Sequence, residues 1–215
     1  MNPIHGLYAV TPDDADSVRL AGQVRAALEG GARLLQYRNK TANRALRHEQ
    51  AATLCALCRT YGAALIVNDD VELALAVDAH GVHLGGEDGS IAAARARLGP
   101  HKLLGASCYS RIQNAERARA EGADHIAFGS FFVSGVKPGA VRSTPSLLTE
   151  AKRKFNLPVV AIGGITHDNA PQLIDAGADS VAVISALFNA PDIARAAREF
   201  NALFEARRET KSKII

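Results

Sequence analysis

Three polar side chains at alternate positions follow an apolar segment early in the chain. Gln36, Arg38 and Lys40 come after two leucines. In an extended chain, residues two apart point to the same side, so an amide, a guanidinium and an ammonium would face one place. Two cations at the inward side of a strand end are costly to desolvate without an anionic partner. The pattern predicts a site for an anion such as a phosphate, with a solvated basic loop as the alternative.

Carboxylates follow two of the next apolar segments. Asp69 and Asp70 come directly after residues 64–68, and Asp88 follows residues 81–85. Mg²⁺ typically binds one or two carboxylates, waters and substrate phosphate oxygens, so Asp69 and Asp88 are candidate ligands of Mg²⁺. Aspartate also begins helices, and Asp70 has the position of a helix N-cap. Spacing alone therefore leaves metal binding open.

Hydroxyl groups and glycines follow the later apolar segments. Ser107 lies near the end of the fifth segment, and the loop 129–139 combines hydroxyls, glycines and Lys137. Such a loop fits a flexible cover for a phosphate. Gly164 and Ser185 follow the seventh and eighth segments, where backbone amides commonly bind phosphate. The sequence therefore predicts two anion sites, one built from cations and a metal and one from backbone amides.

The elements that must position these residues repeat along the chain. Eight short apolar segments are separated by stretches of helical length: 6–11, 33–38, 64–68, 81–85, 103–108, 125–129, 158–163 and 180–185. Nearly continuous apolar strands that alternate with helices predict a parallel sheet buried on both faces. Right-handed crossovers close eight such units into an α/β fold, the (β/α)8 TIM barrel. A Rossmann-type open sheet is the alternative, but no Gly-x-Gly-x-x-Gly motif follows the first segment.

The length of 215 residues suits one compact domain. We predict a barrel over residues 1–206, closed by an amphipathic helix over 192–206, and a polar, basic, frayed C-terminal tail over 207–215. The net charge is +3, and residues 205–215 contain four basic residues against two acidic ones. Since the tail carries most of this excess, the charge favours neither a nucleic acid nor a membrane as partner.

The cysteines and histidines give no further site. Three cysteines make no disulfide framework, no signal-peptide pattern precedes the first segment, and no apolar run reaches the roughly 18 residues of a membrane span. These features predict a cytoplasmic protein. Cys55 and Cys58 form a Cys-x-x-Cys motif inside a helical pattern and are interpreted as packing residues. His83 and His125, within the fourth and sixth segments, are interpreted as structural histidines.

Taken together, these motifs resemble thiamine-phosphate synthase (thiamine-phosphate pyrophosphorylase), in order and over nearly the whole chain. The motifs are QYRNK at 36–40, VNDDVELALAVDAHGVHLGGED at 67–88, GASCYS at 105–110, FGSFFVSGVKPGAVRSTP at 128–145, AIGGIT at 161–166 and VAVISAL at 181–187. The segment 67–88 is long and specific, whereas the last two motifs are shared with many phosphate-binding barrels.

The resemblance implies a role for each matching residue. It implies that the pyrimidine diphosphate is bound by Gln36, Tyr37, Arg38, Asn39, Lys40, Asn68, Ser107 and Lys137. It implies catalytic roles within this set for Arg38, Lys40, Ser107 and Lys137. Mg²⁺ would be held by Asp69 and Asp88. The thiazole phosphate would be bound by Ser134, Gly135, Val136, Gly164, Ile184 and Ser185. One position departs from the family, whose loop usually reads Thr-x-Thr-Lys: Val136 has no hydroxyl group.

The resemblance also implies a reaction. A synthase of this family is a transferase that joins 4-amino-2-methyl-5-hydroxymethylpyrimidine diphosphate to 4-methyl-5-(2-hydroxyethyl)thiazole phosphate, or to its carboxylated form. The products are thiamine monophosphate and pyrophosphate, with CO2 from the carboxylated form. The partners would be small phosphorylated molecules, and a homo-oligomer is compatible with the sequence. The alternatives are a thiazole tautomerase of the same fold and a non-catalytic thiamine- or phosphate-binding barrel.

Overall fold

Eight parallel strands close into a barrel in chain order, from β1 to β8 and back to β1. The computed structural model describes residues 4–86, 89–133 and 142–212. The strands are β1 Gly6–Val10, β2 Leu34–Tyr37, β3 Ala64–Asn68, β4 Gly81–Leu84, β5 Leu103–Tyr109, β6 His125–Phe128, β7 Val159–Ile162 and β8 Ser180–Val183. Each strand lies where an apolar segment predicts it, with ends that differ by at most two residues. The predicted (β/α)8 barrel is confirmed.

Helices follow the strands and cover the outside of the barrel. They are α1 Ser17–Glu29, α2 Arg44–Thr60, α3 Val71–Ala76, α4 Ile91–Leu98, α5 Ile112–Ala120, α6 Pro145–Lys154, α7 Ala170–Asp175, α8 Ser185–Phe188 and α9 Ile193–Ser212. Side-chain oxygens cap several of them, because the first amides of a helix lack partners within the helix. Asp70 accepts a hydrogen bond from the amide of Leu73, which confirms its predicted N-cap position.

The alternation of side chains along each strand produces two apolar clusters. The outer cluster lies between the strands and the helices; in β3, for example, it takes Leu65 and Val67. The inner cluster fills the barrel and takes Ile66 from the same strand. Cys55 and Cys58 are buried in α2 within the outer cluster, as packing residues. The inner positions also include polar side chains, Gln36, His83 and Ser107, which form the floor of the site described below.

The C-terminal segment differs from its prediction. The residues beyond 206 were expected to be a frayed tail, but α9 continues to Ser212. Arg207 explains part of this extension, because its Nη1 lies 2.6 Å from Oδ1 of Asp175 in α7. This ion pair joins the last part of α9 to α7, a contact that the excess of basic residues in the tail did not predict. Among the residues that the structure describes, no helix is both long and apolar enough to span a membrane.

Candidate active site

The loop after β2 is fixed by the loop after β1. Nη1 of Arg38 lies 3.0 Å from Oδ1 of Asp13, and the same oxygen accepts a hydrogen bond from the amide of Lys40 at 2.8 Å. The hydroxyl of Thr11 bonds the backbone of Arg38. The guanidinium is therefore held at the mouth of the barrel by a carboxylate from a neighbouring strand end. Asp13 is absent from the sequence-predicted site, and only its place two residues after the first apolar segment could have indicated it.

Lys40 and Asp69 meet across the ends of β2 and β3. Nζ of Lys40 lies 3.1 Å from Oδ2 of Asp69, and both side chains remain partly exposed. Asp69 has a φ of +62°, which is unusual for a residue with a side chain. Its amide donates to the carbonyl of His83 in β4. Together with Asn68, this pair lines a cavity of about 200 Å³. The structure thus brings together the cation and the carboxylate predicted from successive strand ends.

Tyr37 and Asn39 use their polar atoms elsewhere. The hydroxyl of Tyr37 donates to Oε1 of Gln50 in α2 at 2.8 Å, and burial raises the pKa of Tyr37 to about 12. Nδ2 of Asn39 donates to the same oxygen and to the carbonyl of Asp14. Both residues were predicted to contact the pyrimidine diphosphate. Their side chains connect the loop to α2, and both residues also line the cavity beside Lys40 and Asp69. Their contact with the pyrimidine diphosphate stays a prediction.

Polar side chains also form the floor of the mouth inside the barrel. Gln36 is 5% exposed, and its Nε2 donates to the hydroxyl of Tyr8 at 3.0 Å. Oγ of Ser107 lies 2.9 Å from Nε2 of His83. Nδ1 of His83 lies 3.3 Å from Nε2 of His125. The predicted residues Gln36 and Ser107 therefore belong to a layer that sequence analysis did not recognise as connected.

Burial keeps both imidazoles of this layer neutral. It lowers the pKa of His83 to about 4, and it lowers the pKa of His125 well below its usual value, with the adjacent ring as a smaller cause. The two rings can meet because Gly105 lies between them in β5. A Cβ at Gly105 would lie 2.2 Å from Nε2 of His125 and 2.4 Å from Nδ1 of His83. Glycine is thus required at position 105, because both imidazole rings lie too close to its Cα for any side chain.

The second predicted anion site lies at the ends of β7 and β8, which are neighbours in the barrel. Gly164 has a φ of +63°, and a Cβ there would lie 2.4 Å from the carbonyl oxygen of Val133. Asn169 donates to the carbonyl of Gly164 at 3.0 Å and so fixes this turn. Ile184 and Ser185 lie at the start of α8. Gly164 and Ser185 therefore follow the carboxyl ends of two adjacent strands, and their binding of an anion stays a prediction.

Comparison with known proteins decides the family. The sequence model described as thiamine monophosphate synthase matches residues 7–187. The chain belongs to the thiamine monophosphate synthase family. The relative named thiamine-phosphate synthase from Thiobacillus denitrificans is 55% identical over 204 residues, which are 95% of this chain and 97% of that protein. One from Methylobacillus flagellatus is 54% identical over 202 residues, with coverages of 94% and 96%. The predicted resemblance is confirmed.

A solved structure agrees with this membership. Thiamine phosphate pyrophosphorylase from Pyrococcus furiosus superposes with a TM-score of 0.84 at 38% sequence identity, covering 95% of this chain and 97% of that one. The match extends over nearly the whole of both chains, so it includes the barrel and the described loops at its mouth. Family membership and fold therefore agree for this chain.

Several predicted site residues of this family member lie outside the described residues. They are Asp88, Ser134, Gly135, Val136 and Lys137. Within residues 4–86, 89–133 and 142–212, no group of three or more His, Cys, Asp or Glu side chains could hold a metal ion. Mg²⁺ needs only one or two protein carboxylates when phosphate oxygens and waters complete its shell. The oxygen donors of Asp69 fit that requirement as one ligand.

Proposed function

We propose that this protein is a thiamine-phosphate synthase that transfers the pyrimidinylmethyl group from its diphosphate to the thiazole phosphate. The proposal rests on the position of three charged side chains at the mouth of the barrel, in a chain that belongs to this family. Arg38 and Lys40 follow β2, and Asp69 follows the adjacent β3, 3.1 Å from Lys40. Cations beside a carboxylate at the mouth of a barrel suit a diphosphate that carries Mg²⁺.

The reaction needs no general base. The thiazole nitrogen has a lone pair and no proton, and it forms the new bond to the pyrimidine methylene carbon. The bond from that carbon to the diphosphate oxygen breaks, and its electron pair leaves with pyrophosphate. The electron-rich aminopyrimidine stabilises positive charge on the methylene, which favours a largely dissociative path. The protein must therefore stabilise the departing diphosphate and hold the nucleophile in line.

Arg38 and Lys40 are suited to the leaving group for different reasons. Arg38 is 16% exposed and is oriented by Asp13, so its guanidinium is preorganised for two oxygens of a phosphate. The side chain of Lys40 is half exposed in its pair with Asp69. Exposed ion pairs contribute only about 0–1 kcal/mol, so Lys40 can exchange its carboxylate partner for a phosphate at little cost. Lys137 is proposed as a third cation for the same group.

Mg²⁺ is proposed to be held by Asp69 and Asp88. When bound, the ion would neutralise part of the charge of the diphosphate and so favour its departure. Asn68 precedes Asp69 in the chain and lines the same cavity; it is proposed to bind the pyrimidine diphosphate. The left-handed conformation of Asp69 supports this assignment, because strained backbone at a residue with a side chain is concentrated at functional sites.

The thiazole phosphate is proposed to bind at the ends of β7 and β8. Gly164 has a positive φ that residues with a side chain rarely adopt, and backbone amides of this turn are proposed to donate to the phosphate. Ile184 and Ser185, together with the segment 134–136, complete the proposed set. Val136 replaces the hydroxyl residue usual in this family, so the backbone amide at that position must serve in its place.

Two other functions are compatible with the fold. A thiazole tautomerase would isomerise the thiazole phosphate and would need no group of cations for a diphosphate. A non-catalytic barrel would bind thiamine or phosphate without turnover. The presence of Gln36, Arg38 and Lys40 before Asp69 favours the synthase over both.

One assay separates the three functions. Purified protein is incubated with the pyrimidine diphosphate, the thiazole phosphate and Mg²⁺, and pyrophosphate is followed with time. Pyrophosphate that forms only when both organic substrates are present supports the synthase. Isomerised thiazole phosphate without coupling would instead establish the tautomerase, and binding of either compound without any reaction would establish the binding barrel.

A further inference from the structure

A chain of three polar groups runs from the centre of the barrel to its mouth. His125 in β6 is 0% exposed, His83 in β4 is 7% exposed, and Ser107 in β5 lies above them, partly exposed. The contacts are 3.3 Å between the two rings and 2.9 Å between His83 and the serine hydroxyl. His83, the middle group, contacts His125 through Nδ1 and Ser107 through Nε2. A neutral imidazole donates through one ring nitrogen and accepts through the other. The direction of one hydrogen bond therefore sets the direction of the other.

The position of Gly105 indicates that this contact is built into the fold. His83 and His125 come from strands that are separated by β5, and Gly105 pairs with both of them. Its φ is not in the left-handed region, so glycine is not required there by backbone conformation. It is required because any Cβ would collide with both rings. The absence of a side chain at this position is what allows the imidazoles to touch.

His125, at the inner end of this hydrogen-bonded series, determines which ring nitrogens carry the protons. Nδ1 of His125 is buried and has no hydrogen-bond partner among the described residues. A buried N–H without an acceptor is rarer in proteins than a buried acceptor without a donor. The proton of His125 is therefore on Nε2, from which it is donated to Nδ1 of His83. Since that atom accepts, the proton of His83 is on Nε2 and is donated to the hydroxyl oxygen of Ser107.

We propose that His83 and His125 are positioning residues that fix the hydroxyl of Ser107 as a hydrogen-bond donor toward the substrate. Because the serine oxygen already accepts from His83, its own proton is left for a ligand at the mouth. This proposal rests on the proposed synthase function, in which that ligand is the pyrimidine diphosphate. A hydroxyl aimed at an oxygen that gains negative charge as the bond breaks stabilises the transition state more than the ground state.

Which ring nitrogen of each histidine carries the proton can be measured without an activity assay. In a protein that carries ¹⁵N-labelled histidine, long-range proton–nitrogen correlation spectra distinguish a protonated ring nitrogen from an unprotonated one. The signals of His83 and His125 among the seven histidines are assigned by their loss in His83→Gln and His125→Gln. The proposal expects both rings to be neutral with the proton on Nε2. A proton on Nδ1 of either ring, or a charged ring, would overturn it.

Kinetics test whether this direction matters for the reaction. The amide of glutamine can place an N–H near the position of Nε2, whereas leucine cannot. We expect His83→Leu and His125→Leu to lower kcat about tenfold with KM for either substrate changed less than about twofold, because the Ser107 hydroxyl would lose its fixed orientation and its hydrogen bond to the charged leaving group. His83→Gln should regain most of the lost turnover. Ile66→Val, in the same barrel interior but without a polar contact, is the control for altered packing.

The outcomes separate this inference from the proposed function. If the wild-type protein forms no thiamine phosphate, the synthase proposal fails, and the spectra still decide the direction of the protons. If the wild-type protein is active but His83→Leu and His83→Gln lose equal turnover, or His83→Leu loses none, the positioning role is refuted while the synthase function stands.

Discussion

Gly105→Ala tests the geometry at the centre of the barrel through the smallest possible change. The added Cβ would lie 2.2 Å from Nε2 of His125 and 2.4 Å from Nδ1 of His83. Ordinary carbon contacts begin near 3.5 Å, so both rings, or the strand between them, would have to move by about 1 Å. Tyr8 lies against His125, with ring centroids 6.2 Å apart, and leaves little room for that shift. Overpacking of this kind costs about 1–3 kcal/mol of the free energy of unfolding.

Gly22→Ala is the matched control for the same chemical change. Gly22 lies in α1 with no atom within 4 Å of the added Cβ. Alanine is the better helix former by about 0.5–1 kcal/mol, so this variant should be more stable than the wild type. Urea unfolding followed by circular dichroism should therefore give midpoints displaced in opposite directions, with Gly105→Ala below the wild type and Gly22→Ala above it.

A double-mutant cycle identifies the cause of the loss. His125→Ala removes one of the two rings that the new Cβ would meet. In that background, Gly105→Ala should cost less than it does in the wild type, by about 1 kcal/mol, because residues in contact are energetically coupled. Equal costs in both backgrounds, or a wild-type midpoint for Gly105→Ala alone, would refute the view that Gly105 exists to bring the imidazoles together.

Four further expectations follow from the described contacts. Arg38→Ala should lower turnover at least about tenfold, since one preorganised contact is worth about 2.7–4 kcal/mol, whereas the exposed Arg25→Ala should not; equal rates in steady-state assays would remove Arg38 from the leaving-group site. Asp69→Asn should raise the Mg²⁺ concentration that gives half-maximal rate; full activity in a chelator would exclude the metal. Burial raises the pKa of Cys58 to about 12, so thiol reagents at pH 8 should react with it only after unfolding, and rapid reaction in the native protein would contradict its burial. The hydrogen bond from Arg19 lowers the pKa of the Asp14 carboxyl. Urea unfolding should therefore show the full loss of stability of Asp14→Asn relative to the wild type above about pH 4, the pKa in the unfolded chain, and a difference that shrinks as the pH falls below that value. A difference that does not depend on pH would refute this.

The fold was predictable because its signal is local. Each apolar segment is followed by a stretch of helical length, and the carboxyl ends of the strands then identify Arg38, Lys40 and Asp69 as candidates. The direction of Tyr37 could also have been read, since alternation places it on the opposite side of the strand from its neighbours.

The contacts between distant segments could not be predicted. Asp13 orients Arg38 across 25 residues of chain, and His83 meets His125 across 42. Both contacts depend on the register of the strands, which a single sequence does not determine. Two histidines at inward positions with a glycine between their strands would be a signal only once the register of β4, β5 and β6 is known.

The stoichiometry of the proposed reaction is its most direct test. Purified protein, both substrates and Mg²⁺ are mixed, and thiamine phosphate and pyrophosphate are quantified in the same samples by mass spectrometry and a coupled pyrophosphate assay. The proposed alkyl transfer predicts equal amounts of the two products at every time point and neither product when one substrate is left out. Pyrophosphate without thiamine phosphate, or no product from protein shown to be folded, would contradict the proposed function.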